Sequence, residues 1–174
     1  YDFVIVCALP KESIAYRSIG LDISESKSIQ GLDCLDIKLD SLKGLVITCP
    51  RMGLVDAAIT STMALQIFKP KLIAMSGICA GIEGEAEIYD ITIPELCYQH
   101  DSGKWTADGF TPEPYSIQLD HTVKLKIKEL ISREGFVNHI LSDISPNRSE
   151  IPQHLEKIST SIKLGILSSG SAVV

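Results

Sequence analysis

The sequence lacks the features that mark several large classes of protein. No apolar run reaches the roughly 18 residues that a membrane-spanning helix needs. The 16 basic residues are scattered among 22 acidic ones, for a formal net charge of −6, and they form no basic stripe that would attract nucleic acid or an anionic membrane. We therefore expect neither nucleic acid nor a membrane as a partner.

Metal and nucleotide signatures are missing as well. The histidines and cysteines show no metal-ligand spacing. Neither the G-x-G-x-x-G fingerprint of dinucleotide-binding folds nor the G-x-x-x-x-G-K-[ST] loop of P-loop proteins occurs. The sequence therefore predicts a site that works without a metal and without a bound cofactor.

The cysteines indicate a reducing compartment. There are five of them, an odd number with no C-x-x-C pair, and they lie in apolar runs where a thiol packs as a small hydrophobe. The first residues form no basic signal-peptide region. Both observations predict a cytoplasmic protein with free thiols at Cys7, Cys34, Cys49, Cys79 and Cys97.

What is present favours a packed α/β fold. The 174 residues are 45% apolar with a mean hydropathy of +0.19, enough for one substantial core, so we predict a single domain over residues 1–174. The apolar run Phe3–Leu9 is typical of a strand covered on both faces, and Lys71–Gly84 predicts a second buried strand that runs into a glycine turn. Apolar residues at every fourth position predict a helix over Leu54–Phe68. The order strand, helix, strand implies a parallel crossover.

The remaining segments are assigned from turn and capping signals. Gly31–Asp40 and Gly44–Cys49 predict a hairpin. Tyr98–Tyr115 is polar, contains glycines and prolines and has no periodicity, so we predict a loop. Asp120 is placed as the N-cap of a following helix, and Lys163–Leu167 is predicted to be a late strand.

Candidate site residues follow the predicted strand ends. In open α/β sheets, ligands bind beyond the carboxyl ends of parallel strands, where loops and helix N-termini present free N–H groups. The turn Ser76–Gly81 consists of small residues apart from Ile78, which lets a ligand approach its backbone closely, although a tight strand exit without a ligand explains the same pattern. The four candidate ends are Ala8–Glu12, Pro50–Gly53, Gly77–Gly81 and Ser168–Ser171.

Two charged side chains at these ends have two interpretations each. Glu12 follows the first strand, so it is either a base at the ligand end of the sheet or an ordinary first-turn helix residue. Arg51 precedes a glycine and a helix start, which suits either contact with an anion or a solvated loop. His100 and Asp101 resemble an active-site pair, but no serine or cysteine stands at a nucleophile elbow, so a solvated loop is favoured.

Taken together, four segments resemble the nucleoside phosphorylase and nucleosidase superfamily, which includes purine nucleoside phosphorylases and methylthioadenosine/S-adenosylhomocysteine nucleosidases. Each segment alone is a weak signal, but four in the right order with family-like spacing are fairly specific. The loop from Tyr98 to Trp105 resembles members that are fused to bacterial signalling or defence modules. The four segments are Val6–Glu12, Arg51–Ala58, Ser76–Gly81 and Gly165–Ala172.

The resemblance implies a phosphorylase/hydrolase-like α/β fold, with a central mixed sheet flanked by helices, and cleavage of the N-glycosidic bond of an adenine-type purine nucleoside or nucleotide. Glu12 matches the family glutamate that positions and activates water. Met75 stands where many phosphorylases have an arginine for phosphate, which favours hydrolysis. The positions implied to contact substrate are Ala8, Arg51, Met52, Gly53, Ser76, Gly77, Ile78, Cys79, Ala80, Gly81, Val173 and Val174.

Several departures from the family pattern bear on activity. Ile78 replaces a common serine, and Val173 falls where many nucleosidases have a phenylalanine that stacks on the base. The family's ribose-binding glutamate and its later Ser-Asp motif are expected beyond Val174, so we expect this chain to be a piece of a longer protein that lacks its C-terminal part. The resemblance also implies a homo-oligomer and a possible fused regulatory domain. A phosphate-dependent phosphorylase and a nucleoside-sensing module without turnover stay open as alternatives.

Overall fold

A computed structural model describes residues 1–18, 22–23, 25–142 and 160–170. The chain divides into two compact units, Tyr1–Cys79 and Ala80–Val174, and each is described by itself. A single domain over the whole chain stays a prediction. No helix in the described part is long and apolar enough to cross a membrane.

The first unit is built on a mixed six-stranded sheet. The order of the strands is β2-β4-β5-β1-β6, and β3 also pairs with β4. Strands β5, β1 and β6 are parallel to one another, whereas β2, β3 and β5 each run antiparallel to β4. Its elements are β1 (Phe3–Cys7), α1 (Pro10–Ala15), a 3-10 turn (Tyr16–Ser18), β2 (Asp22–Ile23), β3 (Lys27–Ile29), β4 (Leu32–Leu39), β5 (Leu42–Thr48), α2 (Leu54–Phe68) and β6 (Leu72–Met75).

Both faces of the central strands are buried, as the continuous apolar runs predict. Val4 and Val6 point to the face that also buries Ala64 of α2. Cys7 and Val46 point to the opposite face. Burying a side chain of this size stabilises the fold by about 1.5–3 kcal/mol, so the central strands anchor the first unit from both faces.

The predicted burial of the strand after Lys71 is wrong. Strand β6 pairs only with β1 among the described strands and ends the sheet. Ile73 packs against the core, whereas Leu72 and Met75 are 55% and 62% exposed. An apolar run does not reveal whether its strand is central or at an edge, because that depends on which distant segments cover it.

The predicted helix and hairpin of the first unit are confirmed. Helix α2 begins after Gly53, whose φ of 127° is left-handed, and it ends at Lys69 in the left-handed conformation before Pro70. Strands β4 and β5 form the expected hairpin, with Leu39 opposite Leu42.

The described part of the second unit contains a three-stranded sheet, a hairpin and two helices. In the sheet the order is β10-β7-β11, with β11 parallel and β10 antiparallel to β7. Helix α3 is capped as predicted, because Asp120 Oδ1 accepts hydrogen bonds from the N–H groups of Thr122 and Val123 at 2.9 and 3.1 Å. Its elements are β7 (Ile91–Gln99), β8 (Gly103–Thr106), β9 (Gly109–Pro112), β10 (Ser116–Gln118), α3 (His121–Ile131), α4 (Glu134–Ser142) and β11 (Ile162–Ser169).

The segment predicted to be a loop contains regular structure. Strands β8 and β9 form a hairpin in which Thr106 pairs with Gly109, so only two residues make the turn. Gly109 has a φ of 116°, and the rings of Trp105 and Phe110 pack across the strands at 5.6 Å. Gly109, which follows this turn directly, is a turn signal that the surrounding polar residues obscured.

Candidate functional site

The carboxyl ends of the three parallel strands meet at one edge of the first unit. Cys7 lies opposite Thr48 of β5, and Val6 lies opposite Met75 of β6. Backbone hydrogen bonds continue one residue further, from the N–H of Cys49 to the carbonyl of Cys7 at 2.9 Å and from the N–H of Ser76 to the carbonyl of Val6 at 3.0 Å. The three loops that leave these strands therefore start side by side, as the sequence predicts.

Helix α1 is attached to this edge by a buried serine. The helix starts at Pro10, whose fixed φ suits a first helical position. Ser13, only 7% exposed, donates from its hydroxyl to the carbonyl of Pro10 and accepts a hydrogen bond from Thr48 Oγ1, both at 2.9 Å. The helix is thus held against the end of β5.

Glu12 connects the start of this helix to the turn after β6. Its Oε2 accepts a hydrogen bond from the N–H of Leu9 at 2.9 Å, which caps the helix. Its Oε1 accepts one from the N–H of Ile78 at 3.0 Å, across 66 residues of sequence. The two interpretations of Glu12 are therefore compatible, since one carboxylate caps the helix and reaches the site.

Gly77 allows this approach. A Cβ at position 77 would lie 2.6 Å from Glu12 Oε1 and 2.9 Å from its Cδ, closer than real Cβ atoms come to any neighbour. Its backbone is not left-handed. Position 77 therefore needs a glycine to leave space for the Glu12 carboxylate and not to adopt a special backbone conformation. The group that approaches the backbone here is the Glu12 side chain and not a ligand.

A cavity of about 330 Å³ adjoins Glu12. Four of the predicted site residues line it, namely Glu12, Ser76, Gly77 and Ile78. Sequence reasoning missed two further lining residues, Ala15 and Tyr16. They stand three and four positions after Glu12, so the helical spacing from Glu12 was the signal that could have found them.

The other predicted residues are not among those that line this cavity. Arg51 is 83% exposed and pairs with Asp56, with 3.6 Å between Nε and Oδ2, and Met52 is 71% exposed. Ala80 and Gly81 belong to the second unit. Ala8, Gly53 and Cys79 do not line the cavity, and Val173 and Val174 lie outside the described residues.

Burial raises the pKa of a thiol and of a phenol beside the cavity, those of Cys7 and Tyr16. Burial, and then the charge of Glu12, raises the pKa of the Cys7 thiol to about 12, so Cys7 does not supply a thiolate nucleophile. Burial also raises the pKa of Tyr16 above its ordinary value. Glu12 is the one carboxylate among the described residues that line the cavity.

The second unit contains the His100–Asp101 pair. His100 Nδ1 lies 3.1 Å from Ser168 Oγ, and Asp101 accepts a hydrogen bond from Gln99 Nε2 at 2.7 Å. Within the described ranges, no group of three His, Cys, Asp or Glu side chains is arranged to hold a metal ion.

Comparison with known proteins finds a matching family model and several similar sequences. A family model described as the phosphorylase superfamily matches residues 2–145. The protein y4jS of Sinorhizobium fredii is 32% identical over 144 residues, which cover 77% of this chain and 32% of that protein. The 5'-methylthioadenosine/S-adenosylhomocysteine nucleosidase of Mycobacterium bovis is 28% identical over 108 residues, 62% of this chain and 42% of the enzyme. The chain thus spans 32% to 42% of the length of these curated relatives.

A solved structure shares the fold. The futalosine hydrolase of Helicobacter pylori superposes with a TM-score of 0.67 at 18% sequence identity, over 98% of this chain and 64% of the other. This likeness confirms the predicted α/β fold with a central mixed sheet and flanking helices.

Proposed function

Because this chain belongs to the phosphorylase superfamily, we propose that the protein which carries it is a nucleosidase. The reaction is hydrolysis of the N-glycosidic bond of a purine nucleoside, and Glu12 is the carboxylate that activates the water. The observation that carries the proposal is the position of Glu12 at the carboxyl edge of the parallel strands, fixed by two backbone N–H groups and next to a cavity.

The chemistry requires such a carboxylate. As the base departs, the sugar develops oxocarbenium character, and a carboxylate on the attacking side stabilises this charge and accepts a proton from water. Both oxygens of Glu12 already accept one hydrogen bond each, and a carboxylate oxygen has a second lone pair. Glu12 can therefore hold a water molecule without losing its own anchors.

The lining of the cavity favours water over phosphate as the nucleophile. Phosphate is a dianion and needs cations around it. The described lining residues include no lysine, arginine or histidine, and Glu12 would repel the anion. Met75, at the end of β6, is apolar.

We further propose an adenine-type substrate. The support is the name of the mycobacterial relative, a nucleosidase of methylthioadenosine and S-adenosylhomocysteine. Arg51, exposed at the same edge of the sheet, is a cation available for a 5'-phosphate, so adenine nucleotides belong among the substrates to be tested.

The test is release of free base by the full-length protein. Methylthioadenosine, AMP and ATP are each incubated with the protein in phosphate-free buffer, and adenine is measured by chromatography. We expect adenine and the free sugar from at least one substrate, with no increase on adding phosphate. A strict requirement for phosphate, with the 1-phosphate of the substrate's own 5'-substituted sugar as product, would assign a phosphorylase instead. Saturable nucleoside binding in calorimetry without any base release would assign a sensing module.

A further inference from the structure

We propose that Gly77 and the backbone N–H of Ile78 form a seat for the Glu12 carboxylate, so that Gly77 is a positioning residue. The role of the seat in catalysis rests on the function proposed above. The seat itself is a structural claim that can be tested without any substrate.

The steric argument concerns the space at position 77. The three atoms nearest to a Cβ built there all belong to Glu12, namely Oε1 at 2.6 Å, Cδ at 2.9 Å and Oε2 at 3.1 Å. Because the φ of Gly77 lies outside the left-handed region, an alanine can adopt the same backbone. A side chain at position 77 therefore competes with the carboxylate of Glu12 rather than with its own backbone.

The hydrogen-bond argument concerns the two carboxylate oxygens. Leu9 N–H fixes Oε2 from within the same turn of helix, and Ile78 N–H fixes Oε1 from the end of a different strand. Two charge-assisted bonds from separate elements define both the position and the rotation of a planar group. If Gly77 gains a Cβ, the carboxylate has to move, and the bond from Ile78 is the one that breaks.

The turn that carries the Ile78 amide is anchored to a buried strand. Ser76 N–H donates to the carbonyl of Val6, a residue of the buried strand β1 that is only 2% exposed. Gly77 and Ile78 follow directly after this anchored residue. The position of the Ile78 amide is thus set by the core of the first unit.

Orientation of this kind affects turnover more than substrate binding. A misplacement of about 1 Å in a catalytic group can cost about 100-fold in rate. We expect Gly77→Ala to lower kcat by about 100-fold and to change KM by less than about threefold.

A stability cycle tests the seat independently of activity. Gly77→Ala is made in the natural chain and in a Glu12→Ala background, within the full-length protein, and thermal unfolding is measured. We expect Gly77→Ala to lower the melting temperature by about 5 °C in the natural chain and by less than about 1 °C once the Glu12 side chain is gone. Equal losses in both backgrounds would show that Glu12 is not what position 77 accommodates, and the proposal would fail.

A second cycle guards against poor folding of Glu12→Ala. Glu12→Asp shortens the side chain by one methylene and draws the carboxylate back from position 77. We therefore expect Gly77→Ala to lower kcat by a smaller factor in the Glu12→Asp background than in the natural chain. Equal factors in the two backgrounds would contradict the seat. The matched control is Gly135→Ala in α4, because Gly135 also lacks a left-handed φ and a Cβ there meets no atom within 4 Å.

The outcomes separate the two proposals. If the natural protein releases no base but the stability cycle shows coupling, the proposed function fails and the seat stands. If the natural protein is active but Gly77→Ala keeps its kcat and shows no coupling to Glu12, the seat fails and the proposed function stands.

Discussion

Glu12 in the first unit and Asp90 in the second are held in the same way but differ in what surrounds them. Each accepts a hydrogen bond from an N–H three residues earlier in the chain, from Leu9 and Glu87 respectively, both at 2.9 Å. Each also accepts one from a distant N–H, from Ile78 at 3.0 Å for Glu12 and from Ser161 at 2.9 Å for Asp90.

The difference lies in charge compensation and access. Asp90 has two more partners, the Ser161 hydroxyl at 2.7 Å and the Lys163 ammonium at 2.8 Å, and only 3% of its side chain is exposed. Glu12 is half-buried, adjoins a cavity and has no ion-pair partner among the described residues. A carboxylate whose charge is fully matched serves the fold, whereas one that is held but not neutralised remains able to act on a ligand or on water.

Of the variants considered, Glu12→Gln is expected to have the largest effect on activity. An amide keeps the size of the side chain but does not accept a proton from water, so we expect base release to fall by about 10²–10⁴-fold. One of the two backbone bonds loses its acceptor, so the free energy of unfolding should fall by only about 1–2 kcal/mol. Adenine release and urea denaturation measure the two effects.

The control for this variant is Asp90→Asn, assayed under conditions where it is folded. We expect its activity per folded molecule to match that of the natural protein. Equal loss of activity in both variants would remove the distinction between a structural and a catalytic carboxylate.

Asp90→Asn should instead act on stability. The Asp90 side chain is 3% exposed, whereas that of Lys163 is 40% exposed, so water can hydrate the ammonium that is left beside a neutral amide. We expect the loss of the charged acceptor to cost about 2 kcal/mol. Urea denaturation followed by circular dichroism measures the loss. Glu95→Gln is the matched control, because Glu95 also pairs with a lysine, Lys124 at 2.6 Å, but the Glu95 side chain is 32% exposed whereas that of Asp90 is 3% exposed. We expect a much smaller loss there, and equal losses would contradict the structural role of Asp90.

The parts of the fold that sequence predicted are those set by local chemistry. The apolar run of β1 determines a strand wherever its neighbours lie, and Asp120 caps α3 through its own next residues. The location of Glu12 could also be predicted from its position along the chain, because a carboxylate a few residues after a parallel strand lies near the carboxyl edge of the sheet.

The parts that sequence did not predict depend on residues far apart. The exposure of β6 depends on which elements cover it, and the bond between Glu12 and Ile78 joins residues 66 positions apart. The role of Gly77 is invisible locally, since a glycine that makes room for a side chain and one that makes room for a ligand give the same sequence. Helix α4 was missed because it is short, and the β8–β9 hairpin was missed because polar residues surround its turn glycine.

The pH dependence of stability sharpens the role of Asp90. Burial alone would raise the pKa of Asp90, but hydrogen bonds from Lys163, Glu87 and Ser161 outweigh it and hold the pKa below its ordinary value. Because the folded pKa is lowered, Asp90 contributes its full stability above the unfolded value of about 3.9 and loses it as the pH falls toward the folded pKa. We expect the difference in unfolding free energy between the natural protein and Asp90→Asn to be constant from pH 6 to 8 and to shrink below about pH 4. A difference that stays constant down to pH 3 would contradict this assignment.

Arg51→Ala is expected to have the smallest effect on the fold, because Arg51 is 83% exposed and its pair with Asp56 is long at 3.6 Å. The free energy of unfolding should change by less than about 0.5 kcal/mol. If Arg51 meets a 5'-phosphate, its loss raises KM for AMP by about tenfold and leaves KM for methylthioadenosine unchanged, because only the first substrate carries the anion. The control is Arg133→Ala, because Arg133 is another exposed arginine and pairs with Glu129, four residues earlier. This variant should alter neither KM. An equal change for both substrates would place Arg51 outside the recognition of the 5' group.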